Sequence, residues 1–117
     1  MPKLLELPSF KDERGALTVI EKVLPFSIQR VYYIYDTNQR PRAGHKHRVG
    51  QQALVCLHKE CRVHVRVEGH DQDFLLNTPD LCLVLDSDDW HSIQFEPNSI
   101  LLVLSSHSYM PDNYIYD

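Results

Sequence analysis

The stretch CRVHVRVE at residues 61–68 alternates apolar and polar side chains more strictly than any other part of the chain. Apolar side chains occupy every second position, and charged or polar side chains occupy the positions between them. Successive side chains of a strand point to opposite faces of its sheet, so a period of two predicts a half-buried strand. His64 falls on the polar face and is expected to face solvent.

Seven further short segments have strand character, at 15–21, 29–35, 53–58, 73–76, 81–85, 90–95 and 100–105. They follow one another at a spacing of about ten residues, with Pro, Asn, Asp and Ser between them, which is typical of an all-β sandwich or barrel. No stretch of ten or more residues shows the apolar stripe of a helix. The sequence therefore predicts an all-β fold.

The chain of 117 residues has no repeat and no linker-like segment, so we expect one domain spanning residues 1–117. Its longest apolar run, Ile100–Leu104, is far shorter than the roughly 20 residues that cross a bilayer. Charged residues recur through the first twenty positions, which argues against a signal peptide. These observations predict a cytoplasmic protein without a membrane segment.

The cysteines and the net charge limit the kinds of function that the chain can have. Cys56, Cys61 and Cys82 lie within or beside apolar segments without Cys-x-x-Cys spacing, which predicts reduced core thiols rather than disulfides. The formal net charge of -4 argues against binding of nucleic acid, which requires a basic face. Basic residues nevertheless crowd the segment 40–48, where a small anionic ligand could bind.

That basic segment contains His45 and His47, two positions apart. On a strand, residues at i and i+2 face the same way, so both imidazoles point inward or both point outward. Short strands with histidines near the middle of the chain suit a double-sheet jelly roll of the cupin type. Such a β-barrel encloses a cavity lined by inward side chains.

The histidine pair could hold a metal or transfer a proton. A metal cupin requires a carboxylate four or five residues after the pair, where this chain has Gln51 and Gln52. Proton transfer requires only an imidazole near neutral pKa and donors that stabilise an oxyanion. The tyrosines of RVYYIYD, at 30–36, could be such donors. The residues favour proton transfer without a metal.

Several motifs together resemble the bacterial sugar 3,4-ketoisomerases of the WxcM-like cupin group, which are related in fold to the RmlC-type epimerases and act on TDP-4-keto-6-deoxyglucose. The resemblance spans nearly the whole chain. Its motifs are DERGALTVIE at 12–21, LPFSIQRVYYIYDT at 24–37, RAGHKH at 42–47, QALVCLHKECRV at 52–63, DDWHSIQFEPNSILLVLSS at 88–106 and YMPDNYIYD at 109–117.

The resemblance implies a jelly-roll homodimer that moves a keto group from C4 to C3 of a TDP-linked sugar through an enediolate. It implies neither cofactor nor metal. The product would enter the biosynthesis of 3-amino-3,6-dideoxy sugars of lipopolysaccharide O-antigens, where a PLP-dependent sugar aminotransferase would act next.

The same resemblance assigns roles to residues. His45 and His47 are the proton-transfer pair, either with His47 as the base or with a shared role, and Tyr32 is the active-site phenol. Tyr32 and Tyr33 are adjacent, so one faces inward and the other outward. The expected substrate-binding residues are Arg14, Arg42, Tyr33, Gln52, Trp90 and His91.

Two departures from the group's pattern lie in this segment. Lys46 replaces the usual alanine between the histidines, and Gly44 replaces a bulkier aromatic residue. Three alternatives remain open. They are a 3,5-epimerase-like cupin, a metal-dependent oxygenase or isomerase, and a non-catalytic nucleotide-sugar-binding module, which Lys46 and the lack of the group's aromatic and charged tail would favour.

Overall fold

The structure, a computed structural model, describes residues 1–116 and is built almost entirely of strands. A 3-10 helix at Pro111–Asn113 precedes the last strand. The strands are β1 (Lys3–Glu6), β2 (Ser9–Asp12), β3 (Gly15–Thr18), β4 (Arg30–Ile34), β5 (Arg42–His47), β6 (Gln52–His58), β7 (Cys61–Val67), β8 (His70–Leu76), β9 (Leu81–Leu85), β10 (Trp90–Phe95), β11 (Ile100–Ser105) and β12 (Tyr114–Ile115). Within residues 1–116, no helix has the length and apolar character needed to cross a bilayer.

Two five-stranded antiparallel sheets make up the body of the protein. The first sheet has the order β1-β9-β6-β11-β4, and the second has the order β12-β5-β10-β7-β8. Strands β2 and β3 form a separate two-stranded hairpin. The predicted all-β, double-sheet architecture is confirmed, although the two sheets do not close into a barrel.

The main core lies between the two sheets. The first sheet contributes Leu54 and Leu83, and the second contributes Val63, Val65 and Ile93, all at most 3% exposed. A second apolar cluster covers the other face of the first sheet, where the N-terminal segment packs on it. The first sheet is thus buried on both faces, which explains the uninterrupted apolar runs of β6 and β9.

The strand predictions are confirmed where the apolar pattern is strongest. In β7, alternate residues are buried and the intervening ones are more exposed, as CRVHVRVE predicts. His64 lies on the outer face of β7, with Nδ1 2.8 Å from the Asp73 carboxylate, so it is partly covered rather than open to solvent.

Other strand predictions were wrong or missing. The strand predicted at 15–21 ends at Thr18, and the strand predicted at 73–76 begins earlier, at His70. Strands β1, β2, β5 and β12 were not predicted. They are short or irregular, and pairing with neighbouring strands forms them rather than an alternating pattern of their own.

The three cysteines are free thiols buried in the core, as the sequence predicted. Cys56 on β6 and Cys61 on β7 lie in different sheets and face each other between them, with Cys61 Sγ donating to Cys56 Sγ at 3.2 Å. Burial raises the pKa of Cys82 to about 11, so its thiol stays protonated at neutral pH. These cysteines therefore act as small core residues.

Replacement of a core leucine should show how much the packing between the two sheets contributes to the free energy of unfolding. Leu83 is 0% exposed between the sheets, and Leu75 on β8 is 40% exposed. Leu83→Ala should lower the free energy of unfolding by about 2–5 kcal/mol because it leaves a cavity. The control Leu75→Ala should change it by less than about 0.5 kcal/mol. Urea denaturation measures both, and equal losses would contradict this description of the core.

Candidate functional site

A cavity of about 480 Å³ lies at one end of the space between the two sheets. Polar side chains from both sheets point into it, and apolar core residues form its floor. The polar lining consists of Arg30, Tyr32, Arg42, His45, Gln52, His91 and Tyr114, with the exposed Tyr33 and Tyr35 at the rim. The structure therefore brings together six of the residues predicted from sequence, Tyr33 among them at the rim, and adds Arg30 and Tyr114 to the inner lining.

The pairing of β5 with β10 positions the histidines. His45 lies opposite His91 in this antiparallel pair, and the register shifts between His91 and Ser92. The shift accommodates Ala43 and Gly44, which both have left-handed φ angles, of 68° and 69°. Such a bulge re-aims the side chains beside it. As a result both Arg42 and His45 line the cavity, which strict alternation would not allow.

Three imidazoles form a compact group at the cavity wall. The ring of His45 lies 4.9 Å from that of His47 and 5.1 Å from that of His91, measured between centroids. His45 is half-buried and lines the cavity, whereas His47 is 5% exposed and lies behind it. Lys46, between the two histidines, does not line the cavity. A cation at this position therefore leaves the lining unchanged.

Burial keeps these imidazoles neutral. It lowers the pKa of His47 to about 3, with a further contribution from the neighbouring histidines and Arg30. Burial lowers the pKa of His91 to about 4, and it also lowers that of His45. His91 Nδ1 donates to the Asp89 carbonyl at 2.9 Å, while Nε2 of His47 has no hydrogen-bond partner among the described residues. Neutral imidazoles can accept a proton, but the pKa of His47 lies well below the near-neutral value expected from the sequence.

Tyr32 supplies a phenol on the opposite side of the cavity. Its hydroxyl lies 3.5 Å from Gln52 Nε2, and Gln52 also donates to Ser105 Oγ at 3.1 Å. The Arg30 guanidinium lies 4.3 Å from the centre of the Tyr32 ring. Burial, followed by the nearby Tyr114 phenol, raises the pKa of Tyr32. Tyr32 therefore keeps its proton at neutral pH and can donate it in a hydrogen bond.

Three predicted binding residues lie at the rim of the cavity or outside it. Tyr33 borders the cavity, but it is 62% exposed and its ring packs on Tyr35. Trp90 precedes His91 on β10 and packs under the Arg66 guanidinium, outside the cavity lining. Arg14 lies in the turn between β2 and β3, pairs with Asp12, and has a side chain that is 86% exposed. None of these three side chains is placed inside the cavity of its own chain.

Sequence reasoning missed Arg30 and Tyr114. Arg30 stands two residues before Tyr32, so the period of two already placed its side chain on the same face of β4. Tyr114 lies in the motif YMPDNYIYD, but the motif alone does not place it in the cavity, because β12 has only two residues and pairs with β5, which lies far away in the sequence.

The donor set at this site lacks the arrangement of a metal centre. Within residues 1–116, no group of three or more His, Cys, Asp or Glu side chains is placed to hold a metal ion. Among these same residues, carboxylates are also missing from the polar lining of the cavity.

Comparison with known proteins gives a consistent set of relatives. Residues 1–117 match the family described as FdtA: WxcM-like, C-terminal. The chain is 38% identical to the TDP-4-oxo-6-deoxy-alpha-D-glucose-3,4-oxoisomerase of Aneurinibacillus thermoaerophilus, over 97% of this chain and 84% of that protein.

Two solved structures have the same fold. A 3,4-ketoisomerase from Helicobacter canadensis superposes with a TM-score of 0.95 at 34% identity, covering 99% of this chain and 90% of that one. A mutant of the 3,4-ketoisomerase QdtA from Thermoanaerobacterium thermosaccharolyticum, in complex with TDP-4-keto-6-deoxyglucose, superposes with a TM-score of 0.94 at 30% identity, covering 99% and 87%.

The lowered histidine pKa values predict that the protein loses stability in mild acid. The unfolded chain binds protons below its histidine pKa of about 6.5, while His47 and His91 stay neutral in the folded protein until about pH 3 and 4. Between these limits each histidine should lower the free energy of unfolding by up to about 1.4 kcal/mol per pH unit as the pH falls.

Urea unfolding between pH 4.5 and 7 measures this slope. His47→Asn should reduce the slope, since one buried neutral imidazole is removed. His70→Asn, at an exposed position, is the matched control and should leave the slope unchanged. An unaltered slope in His47→Asn would contradict the description of His47 as a buried neutral base.

Proposed function

Because the chain belongs to the family described as FdtA: WxcM-like, C-terminal, we propose that it is an isomerase that moves the keto group of TDP-4-keto-6-deoxyglucose from C4 to C3. The observation that carries this proposal is the cavity itself. It combines neutral imidazoles, a protonated phenol and two guanidinium groups within about 480 Å³. These are the groups that an enediolate mechanism on a sugar diphosphate requires.

The reaction begins with removal of the C3 proton, which is acidic because C3 is adjacent to the C4 ketone. His45 and His47 share this proton transfer, since His45 faces the cavity and His47 lies directly behind it as a neutral acceptor. The resulting enediolate carries oxygens on C3 and C4. A proton then returns to C4 and the proton of the C3 oxygen passes to the C4 oxygen, which leaves a hydroxyl at C4 and the ketone at C3.

Stabilisation of the enediolate oxygens is the decisive contribution to the rate. Tyr32 is placed to donate its phenolic proton in a hydrogen bond, because its raised pKa keeps it protonated. Gln52 fixes the hydroxyl from behind, and Arg30 lies over the ring. His91 forms the wall beside His45. The hydrogen bond from His91 Nδ1 to the Asp89 carbonyl fixes the orientation of the His91 ring.

Arg30 and Arg42 are the candidate ligands for the diphosphate, since both line the cavity. A guanidinium group presents paired donors that match the spacing of phosphate oxygens. This local positive charge allows a protein of net charge -4 to attract an anionic substrate.

We further propose that the protein is a homodimer and that Arg14 of the partner subunit completes each site. The β2–β3 hairpin forms its own sheet and exposes Phe10 (64%) and Leu17 (60%). Two-stranded hairpins are marginally stable alone, so contact with a second copy would stabilise this one. Arg14 stands at the tip of the hairpin and is absent from the cavity lining of its own chain.

The remaining parts of the proposal follow from this substrate. A 3-keto sugar nucleotide is a substrate for reductive amination, so a PLP-dependent sugar aminotransferase would act next and give 3-amino-3,6-dideoxy sugars for O-antigens. The free thiols and the nucleotide-linked substrate support a cytoplasmic location. Tyr33 stands exposed at the rim of the cavity and Trp90 lies outside its lining, and the proposal gives neither a contact with the sugar.

Incubation with TDP-4-keto-6-deoxyglucose in deuterated buffer tests the chemistry. NMR should show loss of the C3 proton signal and growth of a 3-keto product, while the C5 proton remains. His45→Asn and His47→Asn should each slow turnover by about 100-fold or more, because a proton-transfer group is lost. His58→Asn, at an exposed position on β6, is the control. Exchange at C5 would instead identify a 3,5-epimerase, and full turnover by either variant would remove that histidine from the mechanism.

Mixing two inactive variants tests the shared site. If Arg14 acts across the dimer, then Arg14→Ala subunits combined with His45→Asn subunits form mixed dimers that each contain one complete site. Activity after exchange of subunits should reach about a quarter of that of the unaltered protein, since half of the dimers are mixed. If activity does not rise above that of the separate variants, the assignment of Arg14 to the partner's cavity is wrong.

A further inference from the structure

The C-terminal segment forms part of the cavity wall. Strand β12 pairs with the end of β5, with Tyr114 opposite His47 and Ile115 opposite Lys46. The Tyr114 ring lies 4.8 Å from that of His45 and 4.9 Å from that of His47, and it lines the cavity. Tyr114 therefore covers both histidines of the pair at once.

Asn113 anchors this segment. It is 3% exposed although it is polar. Its Oδ1 accepts from the Val49 amide at 2.9 Å, and its Nδ2 donates to the Val49 carbonyl at 3.1 Å and to His107 Nε2 at 2.9 Å. The Asn113 carbonyl also accepts from the Arg48 amide at 2.8 Å. These bonds fix the residue that precedes Tyr114 to the loop that follows His47.

His107 forms the other side of the anchor. Its ring centroid lies 5.5 Å from that of His47. Gly50, with φ of 93°, passes so close that an added Cβ would lie 2.2 Å from His107 Nδ1. Asn113, the 48–50 loop and His107 therefore form one packed unit behind the histidine pair.

The position of Tyr114 affects both ends of the cavity. Its phenol is the second cause of the raised pKa of Tyr32, after burial, so the two phenols lie within electrostatic reach of each other. At the other end, its ring contributes to the burial of His47. The other titratable or charged groups that act on His47 are His45, His91, His107 and Arg30. Displacement of Tyr114 would admit water to His47.

We propose that Tyr114 is a substrate-contacting residue that donates a hydrogen bond to the sugar beside Tyr32, and that Asn113 is the positioning residue that holds it over the paired histidines. This inference rests on the proposed ketoisomerase function. It assigns a role in the reaction to a part of the chain that has no strong sequence pattern of its own.

The experiment compares two variants with two matched controls. Tyr114→Phe keeps the ring and removes the hydroxyl, and its control is Tyr116→Phe, which changes the exposed tyrosine two residues later. Asn113→Ala removes the anchor, and its control is Asp112→Ala at the exposed neighbouring position. Each protein is first checked for folding by thermal unfolding, then assayed with TDP-4-keto-6-deoxyglucose, and its histidines are titrated by NMR.

Tyr114→Phe should lower kcat/KM by about 100-fold because a donor to the enediolate is lost, while the titration of His47 stays unchanged. Asn113→Ala should lower kcat/KM as well, and it should raise the pKa of His47 by about one unit or more, because water reaches the ring. The two controls should match the unaltered protein in both measurements.

Turnover of Tyr114→Phe equal to that of the unaltered protein would overturn the role of Tyr114. An unchanged His47 titration in folded Asn113→Ala would overturn the role of Asn113. Failure of the unaltered protein to isomerise the sugar is a separate outcome, which would refute the proposed function and remove the basis of this inference.

Discussion

The register between β5 and β10 determines the candidate site. It sets His45 opposite His91, and the bulge at Ala43 and Gly44 turns Arg42 toward the same cavity as the histidines. A regular strand would place Arg42 and His45 on opposite faces, since residues three positions apart alternate. This arrangement requires a left-handed backbone at two consecutive residues, Ala43 and Gly44. Gly44 adopts it without steric conflict because it has no Cβ. The proposed proton transfer and anion binding both depend on this pairing.

Burial gives the site its electrostatic character. The same packing that excludes water from His47 and His91 lowers their pKa values, and it raises that of Tyr32 across the cavity. Neutral imidazoles that can accept a proton thus lie in one small cavity with a phenol that can donate a hydrogen bond, and no carboxylate of residues 1–116 lines that cavity. The positive charge of Arg30 adds to the lowering of the His47 pKa because it disfavours a cationic imidazole, whereas Arg30 and Arg42 oppose the effect of burial on the Tyr32 pKa.

The sequence predicted those parts of the fold in which the order of apolar and polar residues along the chain matches the buried and exposed faces of a strand. The alternation of β7 and the apolar runs of β6 and β9 gave the two-sheet architecture, and the spacing of His45 and His47 placed both on one side of a strand. Strand β5 itself was not predicted, because its glycine and basic residues lack the pattern of a strand. The position of Arg14 on a separate hairpin and the outward face of Trp90 depend on tertiary pairing, which spacing along the chain does not encode. The place of Tyr114 also depends on tertiary pairing, since Tyr114 and His47 are far apart in the sequence and only the fold brings them together.

The close approach of Gly50 to His107 has a consequence for the evolution and redesign of this protein. Any side chain at position 50 would push His107 aside, and the disturbance would pass to Asn113 and the tyrosine that follows it. A saturation library at this loop should therefore contain few active members, even though the glycine itself touches no substrate. Efforts to broaden the range of accepted sugars would do better to vary the rim of the pocket and to leave this contact between a glycine and the His107 ring intact.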